Sequence, residues 1–189
     1  MESLEELDLS YCQSVKAGFD ALGQLNRLKK LTLILTDVAD EELQHLIRLP
    51  DLQMLNLSKT HITDAGLKII GELQHLRSLN LSETEVSDDG LKSLLNLKQL
   101  EELKVNSRQI TDAGVSVICQ LNNLRTIQLY LSRLTDSGLE KLQALEHLEH
   151  LDLNSPPHVT MSAVNQFRTV RPEINIIYYS RVGGDKFQP

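Results

Sequence analysis

Apolar positions along this chain recur with one fixed period. Leu4, Leu28, Leu52, Leu76, Leu100, Leu124 and Leu148 stand 24 residues apart, without insertion or deletion between them. Around each anchor the pattern alternates, as in Leu52-Gln53-Met54-Leu55-Asn56-Leu57-Ser58, with Leu55 and Leu57 inward and Met54, Asn56 and Ser58 outward. Period two over so short a span predicts a half-buried strand. A turn at Thr60-His61 follows, and Ile62 returns to the core. Leu67, Ile70 and Leu73 then lie three apart and predict a helix with one apolar face. A strand and a helix repeated at constant length form a supersecondary unit stacked on copies of itself. Consecutive strands must then lie side by side and parallel. Seven strands, with an eighth at 174–179, would span roughly 35 Å.

The helix start also repeats. Thr63-Asp64-Ala65-Gly66-Leu67 returns as Ser87-Asp88-Asp89-Gly90-Leu91, Thr111-Asp112-Ala113-Gly114-Val115 and Thr135-Asp136-Ser137-Gly138-Leu139. The hydroxyl residue suits the N-cap, and the aspartate suits the first helical turn, where it faces the positive end of the helix dipole. Asp40, Asp64, Asp88, Asp112 and Asp136 therefore read as a structural column rather than as catalytic groups. Gly18, Gly66, Gly90, Gly114 and Gly138 read as room for tight packing of helix on strand. Two coils depart from the rule. The second has Ala39-Asp40-Glu41-Glu42 at its helix start, which predicts a looser helix. The seventh carries Pro156-Pro157 and has Val159 displaced by one residue, and Arg171-Pro172-Glu173 is expected to enter the last strand through a shortened connection.

Composition narrows the function classes. Aromatic residues are only 4% and Trp is absent, so the core must be aliphatic. The formal net charge of -7 opposes a nucleic-acid phosphate track and a polybasic membrane patch. No stretch reaches the length of a membrane-spanning helix. Met1-Glu2-Ser3-Leu4 is acidic and already inside a repeat, so no signal peptide is expected. Cys12 and Cys119 are too distant in a stacked array to pair, which favours a reducing, cytoplasmic setting.

The phrases Ile62-Thr63-Asp64-Ala65-Gly66-Leu67 and Ile110-Thr111-Asp112-Ala113-Gly114-Val115 resemble the leucine-rich-repeat family, over residues 2 to about 179. They look closest to its helix-bearing class with coils of about 24 to 26 residues. That class includes the cysteine-containing repeats of F-box substrate receptors and repeat proteins of bacteria, notably planctomycetes. Thr36, Thr60 and Thr84 stand where cysteine-containing repeats place Cys, and only Cys12 conforms, so the likeness is nearer the bacterial proteins. The resemblance implies an α/β right-handed solenoid, or horseshoe, with a parallel concave sheet and convex helices. One domain over 1–180, seven coils plus a terminal strand, would precede a flexible tail at 181–189. It implies binding rather than catalysis, with no cofactor.

A binding site would use the residues that the strands turn outward. The first column reads Glu6, Lys30, Met54, Ser78, Glu102, Thr126, His150 and Glu173, and the second Asp8, Thr32, Asn56, Asn80, Lys104, Gln128, Asp152 and Asn175. A third runs Ser10, Ile34, Ser58, Ser82, Asn106, Tyr130, Asn154 and Ile177, with Tyr11, Leu35, Lys59, Glu83, Ser107, Leu131, Ser155 and Tyr178 beyond it. Ile34 with Leu35, and Tyr130 with Leu131, put apolar bulk among small polar neighbours, as protein-binding anchors do. The alternative is that Leu35 and Leu131 turn inward under the loop. His150, Asp152 and Asn154 share one strand face, but without a nucleophile or enclosing pocket they read as a solvated polar patch; no metal is expected.

The sequence thus predicts a non-enzymatic module that holds a protein or peptide on the concave sheet. Its partner-binding residues would be Tyr130, Leu131, Gln128, Lys104, Asn106, Ile34 and Met54. Acidic patches at both ends (Glu2, Glu5, Glu6, Asp8; Glu146, Glu149, Asp152) suggest a partner with basic residues. The alternative is a structural spacer, or a detached repeat segment of a larger multidomain protein such as a ubiquitin-ligase-type substrate receptor.

Overall fold

The computed structural model describes residues 3–130, 132–154 and 156–179. Glu2, Leu131, Ser155 and the tail at 181–189 lie outside the described residues. Among the described residues eight strands appear: β1 Glu6–Asp8, β2 Lys30–Thr32, β3 Met54–Asn56, β4 Ser78–Ser82, β5 Glu102–Asn106, β6 Thr126–Tyr130, β7 His150–Asn154 and β8 Asn175–Tyr179. They form one open sheet in sequence order, and each neighbouring pair is parallel. From β1 to β7 the register advances by 24 residues per strand, so the leucine period becomes a row of aligned leucines. Leu31, Leu55, Leu79, Leu103, Ile127 and Leu151 are buried in one continuous core.

Helices close the other side of that core: α1 Phe19–Leu22, α2 Asp64–Ile70, α3 Asp88–Leu91, α4 Asp112–Ile118, α5 Asp136–Lys141 and α6 Met161–Val170. Thr63, Ser87 and Thr111 cap α2, α3 and α4, each hydroxyl oxygen accepting the N–H two residues on. The aspartates that follow the caps do more than face a helix dipole. Each reaches the cap of the next coil. Asp40, Asp64, Asp88, Asp112 and Asp136 accept the backbone N–H of Thr63, Ser87, Thr111, Thr135 and Thr160 at 2.7–2.9 Å. The same five hydroxyls donate to the second carboxylate oxygen. Charge-assisted bonds to an otherwise orphaned helix-terminal N–H are among the stronger hydrogen bonds. The aspartate column is therefore a ladder that ties each coil to its successor.

The ladder adds a second cause for the glycine column beside the expected close packing, which puts Leu134 Cδ1 2.4 Å from a Cβ on Gly138 and Ile62 Cγ2 3.0 Å from one on Gly66. A Cβ on Gly66, Gly90, Gly114 or Gly138 would lie 2.1–2.3 Å from an Oδ1 of the preceding coil's aspartate. Gly18 has no aspartate before it, and a Cβ there would meet nothing within 4 Å. The second coil, lacking the hydroxyl cap, starts at Ala39, whose N–H is satisfied instead by the Glu42 carboxylate at 2.9 Å. Its helical segment, Asp40–Arg48, is 3₁₀ throughout, the tighter winding usual for short connecting pieces.

The turn after the strand has its own lock. Buried Thr36, Thr60 and Thr84 donate their hydroxyls to the carbonyls of Leu33, Leu57 and Leu81 at 2.6–2.9 Å. The preceding residues Leu35, Lys59 and Glu83, with Tyr11 in the first coil, take left-handed φ of 53° to 65°. That conformation turns their side chains to solvent.

The last coil corrects the expected register. Thr160 lies 25 residues after Thr135, and His150 pairs with Asn175, again a step of 25. One residue inserted in the turn around Pro156-Pro157 shifts Val159, Thr160, α6 and β8 together. No shortening at Arg171-Pro172-Glu173 compensates. Asn175, Ile177 and Tyr179 therefore continue the three outward columns in place of Glu173, Asn175 and Ile177. Tyr178 turns inward, is half-buried, and donates its hydroxyl to the Val159 carbonyl at 2.7 Å. Ala163 stands where earlier coils carry glycine, and a cleft of about 290 Å³ lies between α5 and α6.

Candidate functional site

The helices leave one sheet face uncovered, and the outward strand residues cover it. Four of the expected site residues meet on β5 and β6, where Lys104 pairs in register with Gln128 and Asn106 with Tyr130. All four are half-buried. Ile34 follows β2 and Met54 opens β3, so at about 4.8 Å per strand Ile34 is about 19 Å from the β6 cluster. The expected residues therefore form two groups.

Ile34 is half-buried, while Leu35 is 49% exposed. Its left-handed backbone overturns the inward alternative for Leu35. Tyr11, at 70% exposure, extends the same rim. Tyr11 stands in the outermost column expected from the sequence, though not among the expected anchors. Ile177 and Tyr179 are exposed at the other end, in register with Asp152 and Asn154. They were missed as the ends of the second and third outward columns because the one-residue insertion reassigns every position in β8.

Tyr130 is the centre of the β5–β7 group. Its hydroxyl donates to Oδ2 of Asp152 on the next strand. Burial pushes the phenol pKa well above its ordinary value, and the Asp152 carboxylate pushes it further. Tyr130 thus stays neutral and keeps donating. The other oxygen, Asp152 Oδ1, is buried without a hydrogen-bond partner, as is Asn106 Oδ1 beside Tyr130. Lys104 contacts Glu102 at 2.9 Å. Burial alone would raise the Glu102 carboxyl, but hydrogen bonds from Ser78 and Lys104 outweigh it and hold it below the usual range.

The His150 patch does not assemble as a reaction centre. His150 is exposed, Asp152 is engaged by Tyr130, and Glu173 is held by Arg171 away from the expected column. Among the described residues no group of His, Cys, Asp or Glu is placed to hold a metal. A second cleft of about 220 Å³, lined by Arg77, Lys98, Gln99, Glu101, Asn123 and Arg125, is crossed by the Arg77–Glu101 ion pair.

Residues 48–71 and 72–95 match the family model described as Leucine Rich repeat. Both segments are leucine-rich repeats. Among solved structures, an internalin of Listeria monocytogenes (inlF) matches 97% of this chain at 23% identity and a TM-score of 0.72. A plant peptide hormone receptor, RGFR1, solved in complex with RGF2, matches 95% at 16% identity and a TM-score of 0.53. These likenesses show the leucine-rich-repeat solenoid fold. The chain spans 49% of the internalin chain and 33% of the receptor chain. No curated protein sequence matches it. Leucine-rich-repeat domains generally mediate protein–protein interaction and are typically non-enzymatic.

Proposed function

We propose that this chain is an interaction module that binds a protein or peptide on the free face of its sheet, centred on β5–β7. Tyr130 supplies the anchor, with Gln128, Lys104 and Asn106 fixing register around it. Ile34 and Met54, with Leu35, form a second contact zone toward β2 and β3. The observation that carries the reading is Tyr130 itself: a large, half-buried ring fixed by its bond to Asp152. An aromatic already held in place loses little rotamer freedom when a partner covers it. The RGFR1 structure, a plant peptide hormone receptor in complex with RGF2, supports a peptide as the kind of ligand such a fold takes. Net charge of -7 supports a partner other than nucleic acid or an anionic membrane. The free thiols Cys12 and Cys119 favour a reducing, cytoplasmic setting.

A second reading, a repeat segment of a longer protein whose activity lies elsewhere, draws on the half-length match to the internalin. Affinity capture from a lysate of the source organism separates the two. Wild-type chain is expected to retain a partner, and a Lys104→Ala, Tyr130→Ala double variant to retain about tenfold less or lower. Equal recovery by two proteins of matching circular dichroism would move the site off this face. A wild-type lane without partner would favour the segment reading.

A further inference from the structure

We infer that the turn edge of the fifth and sixth coils, beside Tyr130, receives an acidic side chain of a protein or peptide partner, with Arg108 and Arg133 as the two groups that hold it. The inference rests on the proposal that the β5–β7 face binds protein, and it adds the chemistry of one contact.

The turn after β5 is built unlike those before it. In the second, third and fourth coils an exposed residue with left-handed φ precedes a buried threonine. Arg108 stands 24 residues after Thr84, in the threonine's place, yet is exposed. Ser107 is buried instead, without the left-handed φ, and donates its hydroxyl to the Val86 carbonyl of the preceding coil at 2.9 Å. Its oxygen also accepts the Gln109 N–H at 3.2 Å. The serine thus takes over the lock, and the arginine is lifted to the surface. On the next coil Arg133 is exposed, and its N–H donates to the Ile110 carbonyl at 2.7 Å. The two arginines therefore lie on adjacent coils, whose strands are about 4.8 Å apart. They follow the strand ends at Asn106 and Tyr130, which pair in register.

Among the described residues neither guanidinium has a hydrogen-bond or ion-pair partner, and Glu85, on the coil before Arg108, pairs with neither. Other cations of these coils are engaged: Arg77, Arg125 and Arg171 each pair with a glutamate, and Lys104 with Glu102. Asp152, on the adjoining face, is held by the Tyr130 hydroxyl. A guanidinium presents donors only, in a planar fork that fits a carboxylate, and two on neighbouring coils can grip one such group. The net charge of -7 opposes an acidic partner only weakly here, because at physiological salt charges beyond about 8 Å are largely screened. The ring of Tyr130, three residues before Arg133, supplies an apolar contact beside the acid. The ligand is thus an acidic residue with an apolar neighbour, opposite in sign to the basic partner that the acidic ends of the chain suggest.

A random dodecapeptide library displayed on phage, panned against the full chain, tests this directly. Recovered sequences should be enriched in Asp or Glu beside an apolar residue. Synthetic copies should bind about 30-fold more weakly to an Arg108→Ala, Arg133→Ala double variant of unchanged circular dichroism. Arg48→Ala with Lys68→Ala removes the same charge from the helical side and should leave binding unchanged. Asp185→Asn, which removes the one side-chain carboxylate of residues 181–189, should also leave it unchanged. Tighter binding by that variant would give the arginines an occupant within the chain and overturn the inference. Recovered peptides without acidic residues, peptides indifferent to the arginine double variant, or equal losses in the two double variants would overturn it as well. If those same peptides still weaken on Tyr130→Ala or Gln128→Ala, the sheet-face proposal stands. Peptides indifferent to every sheet-face substitution, or a library yielding none above background, would count against both.

Discussion

Gly114→Ala is expected to lower stability by about 3 kcal/mol, an outsized effect for one methyl group at a helix start. The added Cβ would sit 2.2 Å from Asp88 Oδ1. That oxygen cannot swing aside freely, because it accepts the Thr111 N–H at 2.9 Å while its partner oxygen holds the Thr111 hydroxyl. Either α4 moves off α3 or the ladder rung breaks. Urea unfolding of the wild type, both single variants and the double variant measures it. In an Asp88→Ala background the nearest remaining obstacle is Leu91 Cδ1 at 3.2 Å. The glycine substitution should then cost about 1 kcal/mol or less. Simple additivity of the two substitutions would contradict the ladder account. The last coil shows how the fold tolerates alanine in this column: Ala163 is present where the cleft between α5 and α6 lies.

Phe167→Ala should be the most damaging core truncation, at about 3–5 kcal/mol. Phe167 is fully buried and, with Phe19, heads the largest buried side chains. It stands in the row occupied by Leu94, Ile118 and Leu142 in earlier coils, one residue late because of the insertion. Among the described residues α6 packs on α5 and β8 pairs with β7, so the loss should stay local in a nearest-neighbour stack. Hydrogen exchange should show α6 and β8 losing protection while β4 and β5 keep theirs. Uniform loss of protection across the sheet would contradict that locality. The same variant should weaken any ligand that uses Ile177 and Tyr179, since both ride on β8.

Much of this architecture was legible because leucine spacing is a one-dimensional signal with a one-dimensional structural consequence. The outward columns through Glu102, Lys104, Gln128 and Tyr130 are those the alternation predicts, and the register confirms them. The role of Asp64 and its equivalents was half-visible. Their position after a cap is local, but their bonds to the following coil connect residues about one period apart. The glycines were half-read for the same reason, since the nearest atom they avoid, an aspartate Oδ1, belongs to another coil. β8 was displaced by two residues, because a shortening by one was expected at Arg171-Pro172-Glu173 and an insertion of one in the proline turn leaves a weak signal. A two-residue slip keeps Asn175 and Ile177 on the outward face. Tyr178, expected in the outermost column, turns inward, and Tyr179, given no column, ends the third. The pairing of Tyr130 with Asp152 was not legible at all: each lay in a known column, but a diagonal contact depends on rotamers.

The central claim is that partners engage the sheet face at β5–β7 rather than the helices. Site-specific photo-crosslinking tests it most directly, with a benzophenone side chain in place of Gln128 on β6 or of Lys68 on α2, an exposed helical position. Crosslinks to a captured partner or peptide from position 128, and none from 68, are the predicted result. Crosslinks from 68 alone would place the binding surface on the helices and contradict the account.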